Sequence, residues 1–198
     1  MRYILTIIAA ILLAGCSVTT PPIYEYRIAP KVTTKTFESN SCSDKSLKVS
    51  QVFSATTLMS TKMRYVQDEY MELVFNESKW STNPNSAINA ELVKSIQMSG
   101  IFSSVESFKS RSRADLILET NVEEFVQYFS DENKKSFVQV VISFSLVDSK
   151  SSNVLKSIRV KKNLEVGTLD AKGGVKALNS ALSDVLEQNN RWLSGVCK

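Results

Sequence analysis

Cys16 is the residue whose surroundings most narrowly define a chemistry. It follows Leu13-Ala14-Gly15, and the four residues have the form of a lipobox. The thiol can take a diacylglyceryl group as a thioether, and the small residues before it let the backbone lie extended in a peptidase cleft. Arg2 supplies a positive charge ahead of an apolar run over residues 4–13. That run reaches only about 15 Å as a helix, half of the roughly 30 Å of a bilayer's hydrocarbon core. Residues 1–15 therefore read as a cleaved export signal and not as a permanent membrane span. The chain from Cys16 onward would be held by its lipid, since each buried methylene adds about 0.8 kcal/mol and two or more acyl chains make a stable anchor. Ser17 follows where an aspartate would retain an enterobacterial lipoprotein in the inner membrane. The expected location is thus the inner leaflet of the outer membrane, facing the periplasm.

Two other cysteines, Cys42 and Cys197, lie near the ends of the remaining chain. An oxidising compartment favours a disulfide between them over two exposed thiols. The bridge would close a loop of about 155 residues, worth on the order of 4 to 5 kcal/mol in the chain-entropy model. Histidine is absent, which removes the commonest general base and metal ligand together with Ser-His-Asp and Cys-His catalysis. No cofactor beyond the lipid on Cys16, and no metal, is expected. The formal charge of +4 is too small to argue for nucleic acid.

Four further groupings could carry chemistry. Gly173-Gly174 between Lys172 and Lys176 faintly resembles a phosphate loop, but it lacks the GxxxxGK[ST] pattern and reads as glycines at a helix start. Glu123-Glu124 is a carboxylate pair on a strand, where neighbours point to opposite faces. Lys156, Arg159, Lys161 and Lys162 make one strand basic, which fits an edge guarded by charge better than contact with anionic lipid or an acidic partner. Trp80 and Trp192 read as packing residues and not as a ligand cage.

The elements that must position these residues are legible from periodicity. Residues 17–23 form a Ser/Thr/Pro tether of about 25 Å at most, and residues 24–28 alternate as a strand would. Residues 31–45 read as a polar loop. Residues 47–53 are a period-two strand, and residues 63–66 and 71–75 flank a hairpin turn at Gln67-Asp68-Glu69. Asn83 is an N-cap with Pro84 in the first helical position. Ile88, Leu92, Val93 and Ile96 form the stripe of that helix, and Gly100 ends it. Leu116, Leu118, Thr120 and Val122 share one strand face. Phe125 and Phe129 take the other parity, which predicts a bulge near Glu124. Val138, Val140, Ile142, Phe144 and Leu146 alternate cleanly, and Ile158, Val160, Leu164 and Val166 continue in a third long strand. Val175, Leu178, Leu182, Val185, Asn189 and Trp192 stripe a second helix that starts near Asp170. The expectation over residues 24–198 is one α+β domain of two layers, an antiparallel β-sheet with both amphipathic helices packed on one face.

In this order the segments resemble the ABC-type transport auxiliary lipoprotein family. The matching points are Tyr24-Glu25-Tyr26-Arg27-Ile28, Trp80 followed by Pro84, and Ser99-Gly100-Ile101-Phe102 with Val105. Ala114-Asp115-Leu116-Ile117-Leu118, Leu146-Val147-Asp148 and Trp192-Leu193 complete the set. Ile28 stands where the family commonly has leucine, and the Cys42/Cys197 pair is not a family signature. The resemblance implies a non-enzymatic lipoprotein that serves an MCE-type phospholipid transport system. Its partners would be an MCE-type protein and an ABC transporter complex, with contact to phospholipid and self-association both compatible. The alternative is an outer-membrane lipoprotein that activates or assembles another envelope machine, such as a cell-wall synthase or a lipopolysaccharide-assembly complex. A hydrolase would need a nucleophile–base pair that the sequence does not display.

Overall fold

The computed structural model describes residues 21–32, 42–68, 70–130 and 134–197. The export signal, Cys16 and most of the tether lie outside the described residues, as does most of the polar loop. Among the described residues nine strands form one sheet: β1 (Tyr24–Tyr26), β2 (Ser46–Val49), β3 (Phe53–Ser54), β4 (Lys62–Gln67), β5 (Met71–Trp80), β6 (Ser104–Ser107), β7 (Leu116–Phe129), β8 (Ser136–Asp148) and β9 (Val154–Glu165). A 3₁₀ turn covers Thr56–Met59. The helices are α1 (Pro84–Ser99) and α2 (Ala171–Val196).

The α+β class is as expected, but the sheet is mixed and not antiparallel throughout. β7, β8 and β9 are antiparallel hairpins, as are β4 and β5. The other edge of β7 is served in turn by β2, β3 and β4, all running parallel to it. β6 pairs parallel to β2 and β1 parallel to β5. The cause lies in the connections. α1 and the loops around it carry the chain back across the sheet, which parallel neighbours require and a tight hairpin cannot provide. The strand expected over residues 47–53 is divided into β2 and β3, and β6 has no counterpart in the sequence reading.

One face of the sheet and both helices enclose the core. Leu116, Leu118 and Val122 of β7 and Val138, Val140, Ile142, Phe144 and Leu146 of β8 are buried. Ile88, Leu92 and Ile96 of α1 lie against them, as do Leu178, Leu182, Val185, Leu186 and Leu193 of α2. Both helix starts are capped as their sequences require. Asn83 accepts from the Ser86 amide at 2.9 Å, and Asp170 from the Gly173 amide at 2.7 Å. Gly100 closes α1 in the left-handed region at φ 67°, where a Cβ would be strained. The helices meet through Ser95 and Asn190, whose amide donates to the serine hydroxyl at 2.9 Å. Residues 27–31 strap the outer side of α2. Asn179 donates to the Arg27 carbonyl at 3.2 Å and accepts from the Ala29 amide at 2.6 Å.

Candidate functional site

Cys42 and Cys197 are joined in a disulfide, with Cα atoms 5.4 Å apart. Both are buried. Cys197 caps the C-terminus of α2, and Cys42 begins the turn that leads into β2. The bridge therefore fastens the last helix to the first strand of the core.

The expected bulge in β7 falls between Val122 and Glu124, where the pairing with β8 shifts by one residue. It corrects the reading of the carboxylate pair. In a regular strand Glu123 and Glu124 would point to opposite faces. The extra residue turns both to the outer face. Glu123 accepts from the Ser143 hydroxyl and from Arg159, whose Nε is 2.8 Å and Nη2 2.7 Å away. One ladder thus crosses β7, β8 and β9. Glu124 accepts from the Tyr128 hydroxyl at 2.9 Å and from the Gln139 amide. Tyr128 also stacks on Phe137, with ring centroids 4.9 Å apart.

These contacts set the protonation states. The Arg159 guanidinium, and then the Ser143 hydroxyl, hold the Glu123 carboxyl below its usual range. Burial, followed by the Glu124 carboxylate, pushes the Tyr128 hydroxyl up to about 12. Glu123 is kept ionised by its partner, the opposite of what a general acid near neutral pH requires. Both carboxylates border a cavity of about 130 Å³ together with Lys62, Arg64, Glu72 and Trp80. Arg64 is itself matched to Glu72 at 3.5 Å. The cleft carries charges of both signs, with Arg64 and Glu72 paired to each other and Glu123 held by Arg159 outside it.

The basic strand is also accounted for in part. Among the described residues β9 pairs with β8 alone and forms an edge of the sheet. Arg159 is engaged by Glu123, and Lys162 reaches Asp184 of α2 at 2.6 Å. Lys156 and Lys161 face solvent, as charged guards of an exposed edge do. Trp80 is buried against Phe125, with centroids 5.8 Å apart, and Trp192 packs on the edge of the core.

The glycine pair at the start of α2 has a packing explanation. A Cβ on Gly174 would lie 1.8 Å from Oε1 of Gln127, and one on Gly173 would lie 2.3 Å from the Thr168 carbonyl. Gln127 is buried and cannot swing aside without loss, because its amide donates to the Ser136 hydroxyl at 3.0 Å and the Asp170 carbonyl at 3.3 Å. The glycines let the helix start seat directly on β7. Gly174→Ala is accordingly expected to destabilise the domain by about 1–3 kcal/mol, the cost of leaving a buried polar group unsatisfied. Gly195→Ala meets nothing within 4 Å and should be neutral or stabilising by up to about 1 kcal/mol, the helix-propensity difference. Urea denaturation of both variants checks the contrast, and equal midpoints would remove this account of the pair.

Several of the segments that carry the family resemblance fall at joints of this fold. Trp80 ends β5 and Pro84 opens α1. Ile101, Phe102 and Val105 are buried where the chain turns from α1 into β6. Asp115 accepts from the Ser46 amide at 2.9 Å and its hydroxyl at 2.7 Å, locking β7 to β2. Asp148 caps the β8–β9 turn through the Ser151 amide at 2.7 Å. Leu193 is fully buried near the end of α2.

No protein-family model matches the sequence, and neither does any curated protein. Solved structures do match the fold. A Xanthomonas campestris protein of the family DUF330 superposes with a TM-score of 0.78 at 16% identity, over 87% of this chain and 95% of that one. An uncharacterized protein superposes with a TM-score of 0.67 at 14% identity, over 86% and 98% of the two chains. This chain has the fold of those proteins.

Proposed function

We propose that this chain is a lipid-anchored, non-enzymatic auxiliary component of an ABC/MCE-type phospholipid transport system, attached through Cys16 and facing the periplasm from the outer membrane. The observation that carries the reading is the ordered set of family-like segments behind Leu13-Ala14-Gly15-Cys16, several of which serve joints of one continuous fold. The disulfide suits an oxidising compartment. The committed roles of Glu123 and of Gly173-Gly174 support a protein that works by touching partners.

Three measurements test the proposal. Cys16→Ala should abolish metabolic labelling with palmitate, and undiminished labelling would remove the anchor. Crosslinking of the full-length protein in cells should recover an MCE-type protein. Deletion of the gene should reproduce the membrane-permeability defect of deleting that transporter. Recovery of a cell-wall synthase or a lipopolysaccharide-assembly protein in its place would move the assignment to another envelope machine.

A further inference from the structure

β1 runs parallel to β5, with Tyr24 opposite Ser78 and Tyr26 opposite Trp80. β5 leads away from the β4–β5 turn, so the chain arrives at Tyr24 from the side of that turn. From Ser78 back to Met71 at the turn is about 23 Å at the rise of an extended strand. The tether of residues 17–23 spans at most about 25 Å. The two lengths nearly match. The opposite end of the sheet is far out of reach in that direction, because β8 alone runs roughly 40 Å from Ser136 to Asp148 at the same rise.

The end from which the chain arrives is also rich in exposed apolar side chains. Gln67 lies level with Phe129, Phe129 with Ser136, and Phe137 with Glu165. The β4–β5 turn, the β7–β8 turn and the β9–α2 loop therefore share one end of the molecule. Tyr70 is 91% exposed, and Met71 and Leu169 are each 48% exposed. Tyrosine favours the headgroup level of a bilayer, where its ring is sheltered and its hydroxyl stays wet. Glu72 beside them is paired with Arg64, so it adds little uncompensated charge.

We infer that the β4–β5 turn is a second membrane contact. Tyr70 and Met71 rest in the headgroup region of the same phospholipid bilayer that holds the Cys16 lipid, and the β8–β9 turn points away from it. The inference rests on the lipid anchor proposed above. A single lipidated residue leaves a domain free to tumble on its tether, whereas a second contact at the tether's own end fixes which face meets a partner.

The test uses the full-length lipidated protein in vesicles of phosphatidylethanolamine and phosphatidylglycerol brominated near the top of their acyl chains. Tyr70→Trp is compared with Val154→Trp at the far end, where Val154 is 58% exposed. Fluorescence quenching above the background of Trp80 and Trp192 should be at least about twofold greater at position 70, as for an interfacial aromatic. Should Tyr70→Trp fold poorly, amide exchange on the unsubstituted protein decides. It should slow at residues 70–72 on vesicles and not at residues 154–155. A protein that floats with the vesicles but shows no difference between the two ends overturns the turn contact and leaves the anchor standing. A protein that does not float with them overturns both.

Discussion

Phe144→Asp should leave the domain unfolded or close to it. Phe144 sits mid-way along β8 on the face covered by the helices and is 1% exposed. The substitution removes an aromatic side chain, a loss of about 3–5 kcal/mol in a well-packed core. It also places a carboxylate in the buried core, at a further cost of several kcal/mol unless the group takes up a proton. A domain of this kind has about 5–15 kcal/mol of total stability. Ser143→Ala, on the opposite face of the same strand, should cost about 1 kcal/mol for its hydrogen bond to Glu123. Far-ultraviolet circular dichroism and urea denaturation of the two variants provide the measurement. Comparable losses at both positions would mean that the assignment of faces along β8 is wrong.

Removing the disulfide should have the next largest effect. The double variant Cys42→Ala, Cys197→Ala frees a loop closed over a sequence separation of 155 residues. Loop-closure entropy alone puts the loss at about 4–5 kcal/mol. Truncating two buried side chains adds to it. The damage should begin where the bridge sits, so the last turn of α2 and the start of β2 should lose amide protection before the β7–β8 centre does. Denaturation midpoints of wild type and variant under non-reducing conditions test the magnitude. An unchanged midpoint, or free thiols at both positions in freshly prepared periplasmic material, would show that the bridge does not support the native protein.

What the sequence determined by itself is what local physics encodes. Asn83, Pro84 and Gly100 bound α1 because caps are satisfied within a turn of the residues that make them. The clean alternation from Val138 to Leu146 marks β8, since a strand's side chains change sides at every residue. The phase change before Phe125 announced the bulge. The spacing of Leu178, Leu182 and Val185 marked α2 for the same kind of reason, as did Asp170 at its start. Cys42 and Cys197 could be paired because no other cysteine remains once Cys16 is assigned to lipid.

Tertiary structure decided what depends on which segments meet. Backbone hydrogen bonds carry no side-chain code, so nothing in residues 46–67 specified that β2, β3 and β4 would run parallel to β7. β6 offers a single buried apolar residue, Val105, and acquires its strand character only from β2 beside it. The glycines at 173 and 174 read as a helix start from sequence alone, but why glycine is needed there emerges only with Gln127 beneath them. The bulge was visible in the sequence, but its consequence was not: both carboxylates on one face, and Glu123 drawn to Arg159 across β8. Alternation alone would also tolerate an aspartate at position 143, yet the fold places Glu123 against that side chain, and a second carboxylate there would compete for the same guanidinium. Periodicity reports which face a side chain occupies, and only the register between strands settles which charge it meets.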